Sequence, residues 1–135
     1  MSPRIWIILG AVSAAIGVGL GAYHAHGLEK ALVARGLTGD DLQKQLHNVD
    51  VGLRYQMYHA LALVLVGLLA LRSPTVCLNI AGVCFVAGTL LFSGCLYIPV
   101  LAEIKLPWFL VPSGGAAFIA GWVAMAIAGL KMKLQ

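Results

Sequence analysis

Four unbroken apolar runs, Ile5–Ala22, Tyr55–Leu71, Val76–Val100 and Trp108–Leu130, constrain this chain more than any other feature. A helix needs about 20 residues, with a range of roughly 17–25, to cross the hydrocarbon of a bilayer. All four runs meet that length, the second with a turn borrowed from the residues before it. None shows the alternation that barrel strands require. Composition removes the soluble alternative: 61% of the 135 residues are hydrophobic and 10% charged, where a soluble domain carries about 25% charged. Mean hydropathy is +0.93. The expected fold is all-α, one domain over 1–135, an integral membrane four-helix bundle whose main partner is the lipid bilayer.

The formal charge of +4 arises from nine Lys and Arg against five Asp and Glu. These cations stand singly at the ends of apolar runs, where they anchor to headgroups, so nucleic acid is not an expected partner. Arg4 and the small residues of "AVSAA" give the first run the look of a signal peptide. The run continues to Ala22, past the usual length of such a core, and is read as a retained helix. Cys77, Cys84 and Cys95 contain no CxxC, so neither a disulfide framework nor a zinc knuckle is implied.

The connectors differ. "LRSP" at 71–74 and "AEIKLP" at 102–107 are short. Residues 23–54 are long and amphipathic. Thr38 followed by Asp41 reads as a helix start with a box-like acid, and Leu42, Leu46, Val49 and Leu53 recur at helical spacing. The pattern predicts an interfacial helix over 38–53 that feeds into the second span. Small residues mark the helix contacts. Gly10, Ala14, Gly17 and Gly21 stripe the first span, and Gly114, Gly121 and Ala128 the fourth, with Gly115 beside them. In lipid, close backbone approach through such residues supplies much of the association, within the bundle or toward a homo-oligomer or larger membrane complex.

With four spans, the end of the first, the start of the second, the end of the third and the start of the fourth share one membrane face. His24, His26, Tyr55, Tyr58, His59, Ser93, Tyr97 and Ser113 therefore collect at one end of the bundle. The other end offers Arg4, Arg72, Asn79, Lys131 and Lys133. Lys and Arg counts are nearly equal on the two faces. The signal-like start and the basic tail favour both termini in the cytoplasm of a bacterial inner membrane.

"GAYHAHGL", "RYQMYHALAL", "LFSGCLY" and "PSGGAAFIAGW" carry a resemblance. In order and over nearly the whole chain they resemble the signature stretches of the domain of unknown function 423 family, transmembrane protein 256-like small membrane proteins. Tyr23 and His24 stand where that family often has Phe and Gly, and Cys95 where it often has Ser, so the resemblance supports His26 over His24. It implies a four-helix membrane protein and carries no established reaction or cofactor.

His59 is the residue to explain. An ionisable side chain inside a membrane helix turns inward to a partner or cavity. It lies one turn beyond Tyr55. A neutral imidazole donates one hydrogen bond and accepts another, so it can join helices. The bland role is a structural knot; the sharper one is a haem, metal or quinone ligand shared with His26. The geometry expected is His26 and His59 facing one polar cluster with Tyr55 or Tyr97 near, and His24 turned away. No GxSxG frames Ser93 or Ser113 and no acid orients a histidine within a span, so the chain is not read as an enzyme. The functional expectation is a non-catalytic accessory or assembly protein.

Overall fold

The computed structural model describes residues 1–132; Lys133, counted above toward the terminal face, lies outside them. Four helices are long and apolar enough to cross a membrane: α1 (Pro3–Ala34), α2 (Gly39–Arg72), α3 (Val76–Ala102) and α4 (Leu110–Lys131). Their limits follow from local chemistry. Pro3 opens α1 in the first turn, where a missing N–H costs nothing. The Thr75 side chain accepts a hydrogen bond from the Leu78 amide and caps α3. At the other end of α3, Glu103 takes a left-handed conformation at φ 58 and breaks the helix.

Residues 38–53 do not form a helix of their own. They are the first half of α2, which runs 34 residues without a break. Thr38 stands at the N-cap, yet its side chain makes no capping hydrogen bond. The physical reason for continuity is that one seam runs through the whole helix. Leu42, Val49, Gly52, Gln56, His59, Leu63, Val66 and Ala70 are all buried, at alternating spacings of three and four (or seven) that hold one face. The first span is longer too, since α1 carries on past Ala22 as far as Ala34.

Two helices contain a wide, π-type turn: His24–Leu28 in α1 and Thr89–Gly94 in α3. Each widens the ring from i→i−4 to i→i−5 and so shifts the faces of the residues that follow.

Two cores result. Trp6, Leu63, Val66, Leu78, Phe85, Phe118 and their small neighbours fill the membrane bundle. A second core of Leu28, Leu32, Leu42, Val49, Tyr97 and Val100 fastens the far ends of α1 and α2 to the end of α3. The amphipathic face of 38–53 is turned inward against Leu28 and Leu32.

Glycine sets the closest approaches. A Cβ on Gly10 would fall 2.6 Å from the Ala60 carbonyl oxygen, so α1 and α2 meet backbone to backbone. A Cβ on Gly114 would fall 2.5 Å from the Phe92 amide nitrogen, placing α4 directly against the π turn of α3.

Candidate functional site

Polar side chains inside the bundle form three groups, the first two tied to α2 and the third joining α1 to α3. In the first, the Tyr97 hydroxyl of α3 donates to Gln56 Oε1 at 2.8 Å. Gln56 Nε2 in turn donates to the Ser13 carbonyl of α1 at 2.9 Å. One amide thus links three helices. Ser93, fully buried, donates to the Gly52 carbonyl at 2.8 Å one turn earlier on α2.

The second group surrounds His59, which is 4% exposed. Its Nδ1 lies 2.7 Å from the Tyr55 carbonyl oxygen, and the Trp122 indole N–H donates to its Nε2 at 3.2 Å. A carbonyl only accepts and an indole N–H only donates. The imidazole is therefore the neutral Nδ1–H tautomer, with both nitrogens engaged. The ring lies flat on Phe118, centroids 3.4 Å apart and planes within 7°. Tyr55, Phe85 and Trp122 surround it at 6.2, 5.4 and 6.0 Å. The third tie is at the opposite end, where the Trp6 indole donates to Asn79 Oδ1 at 3.1 Å.

Among the residues expected at one site, the structure brings Tyr55 to His59 and places Ser93 and Tyr97 together on the neighbouring α2–α3 contact. Others go elsewhere. His26 is exposed, and the shared His26–His59 cluster does not form. It is His24 that turns inward, its Nε2 donating to the Leu46 carbonyl at 3.2 Å. The cause is the π turn beginning at His24: residues two apart point to nearly opposite sides, and the widened turn selects His24 for the α2 side. Ser113 is exposed and spends its hydroxyl on the Leu110 carbonyl, 2.8 Å away in its own turn. Tyr58 is exposed beside Tyr55. Among the described residues, no three His, Cys, Asp or Glu side chains converge as metal ligands would.

The glycines divide similarly. Gly114 and Gly121 lie in tight contacts, Gly121 against Phe85, and Gly17 lies at ordinary contact distance from Met57 and Gln56. Gly115 only grazes Phe92, and a Cβ on Gly21 would meet nothing within 4 Å. Gly21 is therefore no packing residue of this bundle.

Ser13 and Trp122 were not singled out from the sequence; Gln56 belongs with Tyr55 and His59 among the polar residues expected at that end. Trp122 could have been found: a mid-span imidazole needs a donor or acceptor from another helix, and an indole on the fourth span supplies one. Ser13 sits in the stretch that reads as signal-like, and only the backbone at that residue is used as an acceptor. Its presence gave no signal.

Comparison with known proteins places this architecture. The family model described as "Protein of unknown function (DUF423)" matches residues 20–115. The UPF0382 membrane protein YwdK of Bacillus subtilis (strain 168) is 40% identical over 129 residues, which cover 95% of this chain and 98% of that one. The UPF0382 inner membrane protein YgdD of Escherichia coli (strain K12) is 33% identical over 133 residues, covering 98% and 95%. No solved structure matches.

Proposed function

The chain belongs to the DUF423 family of membrane proteins, and from that premise we propose that it is a non-catalytic accessory or assembly protein that docks another membrane helix on α1. The observation that carries this reading is a second small-residue stripe on that helix. Gly10 and Gly17 are buried against α2, while Ala11, Ala15, Gly19 and Ala22, at helical spacing on another face, are all exposed. A Cβ on Gly19 would meet nothing within 4 Å. Helices in lipid associate through such small-residue faces, because they allow close backbone contact. The state of His59 supports the same reading. Both its nitrogens are occupied in ties within the chain, the use expected of a structural residue.

Gentle solubilisation followed by native mass spectrometry tests this. A homo-oligomer or a stoichiometric membrane partner is expected, and Gly19→Leu, on an exposed face, should release it while leaving the fold intact. A protein that remains a lone monomer at every detergent strength, or an assembly indifferent to Gly19→Leu, refutes the reading. We further propose that both termini face the cytoplasm, supported by Arg4 in a signal-like start and by the basic tail of Lys131 and Lys133 in the sequence. A terminal reporter active only outside the membrane would reverse the orientation.

A further inference from the structure

Helices α1 and α3 part between their two ends. They are pinned at one by Trp6 against Gly82 and Asn79, and at the other by Leu28 with Tyr97 and Val100. Between these pins lies a cleft of about 310 Å³, floored by α2. Its walls are apolar, with Val12 and Ile16 on α1 and Val86 and Leu90 on α3, but its floor is not: Ser13, Gln56 and Tyr97 all line it.

The hydrogen bonding of that floor is incomplete. Gln56 and Tyr97 are 4% and 8% exposed. Gln56 has two amide hydrogens and uses one on the Ser13 carbonyl. The Tyr97 oxygen donates to Gln56 and keeps its lone pairs. Among the described residues the Ser13 hydroxyl is buried and has no partner at all. A serine in a membrane helix ordinarily returns its hydroxyl to the carbonyl one turn back; this one does not. An unsatisfied donor in hydrocarbon costs several kcal/mol, so the floor favours an occupant that brings an acceptor.

We propose that this cleft binds a membrane-dissolved lipophile with a carbonyl head group of the para-quinone type. The carbonyl accepts from Ser13 and the spare Gln56 amide hydrogen, and the apolar tail leaves between Val12 and Leu90. Three observations select this occupant. The volume lies at the lower end of the range of small-molecule sites, roughly 300–1,000 Å³. The unspent groups at the floor include two donors, which a carbonyl oxygen can satisfy at once. Depth then separates a free lipophile from a phospholipid. Ser13 is near the middle of the Ile5–Ala22 run, about 12 Å from either end at 1.5 Å per residue. Phospholipid carbonyls stay at the edge of the hydrocarbon, while a freely dissolved ring reaches its centre. The site is separate from the outward stripe of α1 and from His59, so it stands or falls independently of the assembly reading.

The test is native mass spectrometry of the full chain in mild detergent, titrated with a decyl-substituted para-benzoquinone. A saturable one-to-one adduct is expected. Decylbenzene, with the tail and ring but no carbonyl, should bind at least ten-fold more weakly. Ser13→Ala should weaken the quinone about ten-fold, the value of one hydrogen bond, without changing decylbenzene binding. Leu90→Trp fills the mouth from a residue 67% exposed and should abolish the adduct; Val12→Trp, 51% exposed on the facing helix, serves if the first variant fails to fold. The proposal is overturned if no saturable adduct forms, if decylbenzene binds as tightly, if the filled cleft still binds, or if a diacyl phospholipid displaces the quinone at equal concentration.

Discussion

Replacing His59 measures how much of the bundle's stability rests on one imidazole. The ring is 4% exposed and lies flat on Phe118 at 3.4 Å. His59→Ala removes that stacking and leaves a cavity. In water, aromatic-to-alanine changes in a core cost about 3–5 kcal/mol. Here lipid supplies no hydrophobic drive between helices, and the imidazole is a small ring, so about 2–3 kcal/mol is the packing share. The Trp122 indole N–H also loses its acceptor. Hydrogen bonds between membrane helices average about 0.6 kcal/mol and reach about 1.7. The total expected for His59→Ala is about 3–4 kcal/mol. His59→Phe keeps a ring on Phe118 and should cost only about 1–2 kcal/mol. The bond from Nδ1 to the Tyr55 carbonyl adds little in either case, because that oxygen already lies in the hydrogen-bond ladder of its own helix.

Reversible unfolding in mixed micelles, titrated with a denaturing detergent and followed by circular dichroism, gives these values. A double-mutant cycle of His59→Phe with Trp122→Phe isolates the indole bond, with an expected coupling of about 0.6–1.7 kcal/mol. His26→Ala, on an exposed residue, should change nothing measurable. If His59→Ala costs no more than His26→Ala, or if the cycle closes to within about 0.3 kcal/mol of zero, the assignment of His59 as the knot between α2 and α4 is wrong.

The same titration checks two further expectations, and limited proteolysis a third. Gly114→Ala should cost more than about 2 kcal/mol, since its Cβ would strike the backbone of Phe92, while Gly21→Ala, facing open space, should gain up to about 0.5–1 kcal/mol of helix propensity. Tyr97→Phe leaves Gln56 Oε1 without its donor and should cost about 1–2 kcal/mol. Arg35→Ala breaks an ion pair with Glu103 at 3.3 Å and a 2.8 Å bond to the Val100 carbonyl. Glu103 is largely exposed, so the loss should stay under about 1 kcal/mol, seen as earlier protease cleavage near Glu103 rather than as global unfolding.

The four spans were legible because lipid as a solvent imposes a length and an apolar composition that no other fold shares. The boundaries at Arg72 and Val76 were legible because Pro74 breaks the helix between them, and the start of α4 because Pro107 stands just before it. The junction between 53 and 55 was misplaced for an instructive reason. Composition changes there, from Asp50 and Arg54 to a stretch free of Asp, Glu, Lys and Arg as far as Leu71, but periodicity does not, and it is periodicity that decides whether a helix continues. The inward histidine was misassigned because a π turn adds a residue without any change in composition. Nothing in "YHAHGLEK" distinguishes His24 from His26 once that turn is allowed. The Tyr97–Gln56–Ser13 line was out of reach for a different reason: it depends on the relative height of three helices, which the sequence does not state.

That relative height is what the polar residues of α2 determine. On its buried seam, Gly52, Gln56 and His59 stand at the polar end, and Leu63, Val66 and Ala70 at the apolar end. In a bilayer the second half of that seam has little to prefer, since a leucine against lipid and a leucine against leucine are nearly equivalent. Sliding α1 or α3 by a turn would exchange one apolar contact for another. The first half cannot slide in this way. Moving α3 by one turn takes Ser93 from the Gly52 carbonyl and Tyr97 from Gln56, and moving α1 takes the Ser13 carbonyl from Gln56 Nε2. Each displacement leaves polar groups unpaired in hydrocarbon, where every one costs several kcal/mol. The polar end of the seam therefore fixes register for the apolar end, and it does so with side chains whose bonds are largely internal to the chain. The exceptions are the Ser13 hydroxyl and the second amide hydrogen of Gln56, which register leaves unsatisfied on residues that line the cleft.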